Sequence, residues 1–306
     1  MNRFRLPFLF LLTLSLASVA SAQKVRSEML VSTAWLAQNL TRPGVVVVHV
    51  AAERKAYDEG HIPGARYLST REILTTRGGV PNELPPVGEL QKVFERLGVG
   101  EQARIVLYGE NSGLAAARAW FTLDYLGHGA RAALLDGGLE KWRAEKRPVS
   151  TEAASPQSAA FTPRVHPQVR AEINDVRDLS WIAANLPSPD VALLDARPAK
   201  QYEGEDAGGL ARPGHIPGAA GLYWMQHLVA PDNPTLKSAR ELQALFAAAG
   251  INPGQRVVTY CRSGMQASHS YFVAKYLGYD AMLYDGSFGE WVAAEGTPVV
   301  KGKERK

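Results

Sequence analysis

Cysteine is nearly absent from this 306-residue chain, with Cys261 standing alone. A single thiol excludes an internal disulfide and leaves two readings, a buried inert side chain or a free reactive one. Charge of one sign is scarce as well. Against 30 acidic residues stand 34 basic ones, with no arginine-rich tract and no stripe of lysines among aromatics. Nucleic acid is therefore not an expected partner, even at a sequence pI near 9.1. Long apolar runs are missing except at residues 6–19, and that run is shorter than the roughly 20 residues needed to cross a bilayer. Arg3 and Arg5 precede it and Ala20-Ser21-Ala22 follows it, the pattern of a secretory signal peptide over residues 1–22. Cleavage is expected after Ala22, giving a periplasmic or secreted protein with no membrane span in its mature chain. Loss of the two arginines takes the formal charge from +4 to +2. The basic tail, residues 301–306, reads as a frayed, solvated end.

What the chain does contain is an internal repeat. His61-Ile62-Pro63-Gly64-Ala65 returns as His215-Ile216-Pro217-Gly218-Ala219, and Asp136-Gly137 with Trp142 returns as Asp285-Gly286 with Trp291. Between these blocks, residues 105–109 line up with 257–261 and Tyr125-Leu126-Gly127 with Tyr276-Leu277-Gly278. Four blocks in one order make two domains of one design, for which a 46% hydrophobic composition supplies enough apolar content.

Short apolar runs at 45–50, 105–108 and 132–135, and again at 191–195, 256–260 and 281–284, read as buried strands. Stretches of helical spacing lie between them at 90–97, 115–126, 239–249 and 266–277. Alternation of this kind predicts an α/β fold in which each half is a small parallel sheet with helices on both faces. The proline-rich stretch without periodicity at 149–167 reads as a linker, placing the domains at residues 26–148 and 168–300.

Cys261 falls between a strand and a helix, the position where open α/β sheets hold ligands. The helix-start N–H groups of Arg262-Ser263-Gly264-Met265-Gln266 lack intrahelical partners and are available to an anion or a thiolate, and with Arg262 they are expected to lower the thiol pKa. The matching loop of the first half, Gly109-Glu110-Asn111-Ser112-Gly113, has no nucleophile and an acid where Arg262 stands. A cysteine phosphatase would want an arginine six residues beyond its nucleophile, and that position is Ala267.

With His-Ile-Pro-Gly-Ala in each half, Cys-Arg-Ser-Gly in the second alone and Asp-Gly-Ser-Phe-x-x-Trp near the end, the chain resembles the tandem-domain rhodaneses, the thiosulfate and 3-mercaptopyruvate sulfurtransferases. The resemblance implies two rhodanese-like domains, a persulfide on Cys261, small anionic sulfur donors, and cyanide or a thiol as acceptor, with no metal or organic cofactor. It also implies a substrate-binding loop from Arg262 through Ser263, Gly264, Met265 and Gln266. Arg197 lies where the family carries anion-binding arginines and reads equally as a structural ion-pair partner. Ser263 is the residue of mercaptopyruvate enzymes where thiosulfate enzymes often carry lysine, and reads as a proton donor or as a helix cap. His61 resembles a first-domain histidine that works with that serine, a possible proton relay, although its twin His215 suggests a scaffold role. Gln201 departs from an arginine many thiosulfate enzymes use. Asp285 reads as a turn cap and His269 as a packing residue.

Overall fold

The computed structural model describes residues 24–109, 112–172, 174–176 and 190–305. The expected signal peptide, residues 1–22, lies outside the described residues.

The first sheet runs in the order β1 (Leu30–Val31), β7 (Ala132–Leu135), β6 (Arg104–Gly109), β2 (Val45–Ala51) and β3 (Arg66–Ser69), every pair parallel. The second repeats it with β8 (Arg170–Ala171), β14 (Asp280–Tyr284), β13 (Arg256–Tyr260), β9 (Val191–Asp195) and β10 (Ala220–Gly221). The central strands are near-continuous β-branched and leucine runs because helices cover both faces: β2 buries all but its first residue. Each domain also carries an antiparallel hairpin, β4 (Thr75–Arg77) with β5 (Val80–Glu83) in the first and β11 (Leu228–Ala230) with β12 (Asn233–Leu236) in the second.

The domains share one core. Helix Leu114–Tyr125 of the first lies against helix Met265–Tyr276 of the second. Trp120 meets Phe272 edge-on at 5.1 Å and Phe121 meets Tyr271 at 5.3 Å. The Tyr271 hydroxyl, buried in this apolar seam, finds its partner in Asp124 at 2.5 Å. Because each helix begins at its domain's loop, the packing brings each loop beneath the hairpin of the other domain.

Two expectations about irregular segments change. The stretch 149–167 is irregular between a bridge from Ser150 to His61 and a 3-10 turn that starts at Pro167, yet it is laid onto the first domain, with Phe161 buried between Phe94 at 5.1 Å and His128 at 4.1 Å. The tail is not frayed over residues 301–305 either. Gly302 donates to the Glu203 carbonyl at 2.8 Å, and the Glu304 and Arg305 carbonyls meet His215 Nε2 at 3.1 Å and Gly218 N–H at 2.5 Å. Backbone groups facing a buried turn hold a strap that its charge alone would leave in water.

Candidate active site

β13 ends at Tyr260 and the helix begins at Met265, so Cys261 to Gly264 make the entire turn. Gly264 takes φ +86, a left-handed conformation a side chain resists, and this folds the turn back on itself. The N–H groups of Ala267, Ser263, Gln266 and Gly264 consequently converge on the sulfur of Cys261. The thiol is 2% exposed. Its pKa departs from the expected direction: burial pushes it up, and the four N–H groups pull it down without overcoming that. Helix-start amides act as foreseen; the desolvation that opposes them is a tertiary effect.

The Asp-Gly-Ser-Phe segment builds the other wall. Ser287 Oγ accepts from the Cys261 N–H at 3.3 Å, and Phe288 and Gly289 donate to the carbonyls of Cys261 and Arg262, each at 2.9 Å. Asp285 is no turn cap. It is fully buried, binds Arg118 Nη1 of the first domain at 2.6 Å and accepts the Leu84 N–H at 3.0 Å. Arg170, paired with Glu83, completes a cluster of two cations and two carboxylates between the domains. Arg118 also donates to the Asn82 carbonyl at 2.6 Å, and the Asn82 carboxamide reaches Ser263 Oγ at 2.9 Å. Sequence reasoning missed Arg118 and Asn82.

The other foreseen residues separate. Arg262 is exposed, its Nη2 3.3 Å from where a Cβ on Gly209 would sit, and Gln201 donates to Asp206 at 3.4 Å. Met265 is half-buried at the helix start, and Gln266 buries its Oε1 without a partner among the described residues. Arg197 is the structural alternative of its two readings. Nε and Nη2 bind Asp195 at 2.9 and 2.5 Å, Nη2 also reaches the Gly214 carbonyl at 2.7 Å, and the guanidinium stacks 3.9 Å over Phe288. These partners fix the plane of the guanidinium. His61 is no proton relay. It is fully buried and stacked on Tyr57, with its ring nitrogens at 2.7 and 3.0 Å from the carbonyls of Tyr57 and Glu152. His215 repeats this with Tyr202 and Glu304, so the pair pins a chain end in each domain. His269 packs, edge-on to Trp224 at 5.1 Å.

In the first domain β6 runs on to Gly109, where a Cβ would sit 2.1 Å from the Val50 carbonyl oxygen. A cysteine side chain has no room there. Glu110 and Asn111 lie outside the described residues.

One buried thiol at the carboxyl end of a parallel strand, wrapped by helix-start amides and repeated as a blank in a twin domain, marks Cys261 as the candidate nucleophile of a two-domain α/β protein. The Rhodanese-like domain family model matches residues 32–145 and again 178–294, and the chain belongs to that sulfurtransferase family in its tandem form. It is 38% identical over 290 residues to the sulfur carrier protein TtuD of Thermus thermophilus, covering 90% of this chain and 98% of that one. To a thiosulfate sulfurtransferase of Azotobacter vinelandii it is 32% identical over 272 residues, or 89% and 96% of the two chains. The solved 3-mercaptopyruvate sulfotransferase SseA of Escherichia coli superposes with a TM-score of 0.75 at 26% identity, covering 85% of this chain and 98% of that one.

Proposed function

We propose that the protein is a thiosulfate sulfurtransferase working through a persulfide on Cys261. The observation that carries this reading is the set of four backbone N–H groups directed at one sulfur atom, with room for none in the twin loop. The Cys261 thiolate attacks the outer sulfur of thiosulfate. A new S–S bond forms, the old one breaks, and sulfite leaves with the electron pair. Cyanide or a thiolate then attacks the terminal sulfur, which departs with it and returns the thiolate. The amides stabilise anionic sulfur at each stage without reorganising.

Arg262 favours thiosulfate over mercaptopyruvate as donor. A cation about 4 Å from the dianion is worth roughly 4 kcal/mol per pair of unit charges at an effective dielectric near 20, and less at the exposed position Arg262 holds. Mercaptopyruvate asks for a proton source for its enolate, and His61, engaged by two carbonyls, does not supply one through Ser263. Side-by-side kcat/KM values with cyanide as acceptor test the assignment; a thiosulfate value orders of magnitude below that for mercaptopyruvate reverses it. A carrier role is the second reading, favoured by the TtuD likeness. It predicts one sulfur held per chain and poor turnover with cyanide. Export belongs to the same proposal, since the pattern of residues 1–22 suits it, and N-terminal sequencing of the mature protein starting elsewhere than Gln23 would count against it.

A further inference from the structure

We propose that Asn82, on the hairpin of the non-catalytic domain, is a positioning residue that turns the Ser263 hydroxyl toward the sulfur donor, so that the first domain tunes the activity of the second. The inference rests on the functional reading above and deepens it.

The Asn82 carboxamide donates to Ser263 Oγ at 2.9 Å. A serine hydroxyl has one proton and two lone pairs. Once Asn82 occupies a lone pair, the proton is left to point elsewhere, toward an oxygen of a donor anion in the cleft. Asn82 is itself held rigidly. Its backbone sits at φ +65, its carbonyl accepts from Arg118 at 2.6 Å, and Leu84, two residues on, donates to Asp285 at 3.0 Å. Asn82 itself lines an open surface hollow of about 330 Å³ with Arg71, Thr75, Thr76 and Pro81.

The repeat supplies an internal comparison. Over the vacant loop the second domain's hairpin makes the same clamp, with Leu236 donating to Asp136 at 2.9 Å. Leu236 therefore matches Leu84, and the residue two positions before it is Pro234, which has no hydrogen to donate. Both hairpins clamp the opposite domain. Only the one above the cysteine carries a hydrogen-bond donor at this position, just as only that loop carries the nucleophile.

The test is a double-mutant cycle between Asn82→Ala and Ser263→Ala, read as kcat/KM for thiosulfate and, without turnover, as thiosulfate affinity in a Cys261→Ala background. Asn82→Ala is expected to lower both by about tenfold, the worth of one hydrogen bond, with the thermal midpoint lowered by only a few degrees for alanine at φ +65. On the Ser263→Ala background the same change is expected to do nothing further. Asn82→Asp, which accepts the hydroxyl proton and adds a negative charge, is expected to lower kcat/KM beyond the alanine variant. Equal losses with and without Ser263, or no loss in Asn82→Ala, overturn the proposal. A wild-type chain that never transfers sulfur overturns the functional reading instead, and the binding cycle then still decides the role of Asn82.

Discussion

Gly264 and Gly113 form a matched pair from which the cost of disturbing the cradle follows. Both stand at the entry to the helix after their loop, at φ +86 and +87. An alanine in that conformation costs about 1–2 kcal/mol, offset by about 0.4–1 kcal/mol from its stiffer unfolded chain. The space around them differs. At Gly113 no atom among the described residues lies within 4 Å of a new Cβ, whereas at Gly264 it would sit 3.2 Å from Arg118 Nη1 and from both the carbonyl oxygen and Oδ1 of Asp285. Those atoms belong to a buried ion pair that cannot yield without breaking its 2.6 Å contact, so overpacking adds about 1–3 kcal/mol. Gly113→Ala should therefore cost about 1 kcal/mol and leave sulfur transfer intact. Gly264→Ala should cost about 2–4 kcal/mol. Because it shifts amides aimed at the sulfur, it should also lower kcat by about 10²–10³-fold, as loss of one oxyanion donor does. Urea unfolding and steady-state rates on the two variants measure both quantities. Equal stability losses, or full activity in Gly264→Ala, would refute the reasoning.

Arg262→Gly is expected to depress kcat/KM for thiosulfate by a larger factor than for mercaptopyruvate, and equal factors would remove the argument for donor choice. Acid should destabilise the protein through its buried histidines. Burial lowers the His49 and His269 pKa values from 6.5 to about 4, so between those values the unfolded chain binds more protons and stability falls as pH drops. Each histidine contributes at most about 3 kcal/mol across that window. Denaturant midpoints taken from pH 7 to 4 should track this loss, and a flat profile above pH 4.5 contradicts it. The raised Cys261 pKa implies that, in the absence of a donor, alkylation by iodoacetamide accelerates with pH past the range of a free thiol; a plateau below pH 8 opposes that.

Much of the fold was legible because its signals are local. The runs at 191–195 and 256–260 became β9 and β13 at those bounds, since a strand buried on both faces needs an unbroken apolar run. The two-residue edge strands β1, β8 and β10 carry no such run and escaped notice. The cysteine loop was legible for the same reason, its strand, glycine and helix being consecutive. What surrounds it was not. Arg118 meets Asp285 across 167 residues and Asn82 meets Ser263 across 181, pairings that exist only once the domains pack. The thiol pKa was misjudged because burial, unlike a helix start, is not written beside the residue. Arg197 and His61 carried the right chemistry, and neighbouring backbone and Asp195 had already claimed it.

The central claim, that Cys261 alone carries the transferred sulfur, is tested by intact and peptide mass measurement after thiosulfate and again after cyanide. The account predicts one added sulfur per chain on the peptide containing Cys261, its removal by cyanide with formation of thiocyanate, and neither event in a folded Cys261→Ser variant. Sulfur gained elsewhere, oxygen gained in place of sulfur, or sulfur transfer persisting without Cys261 would contradict it.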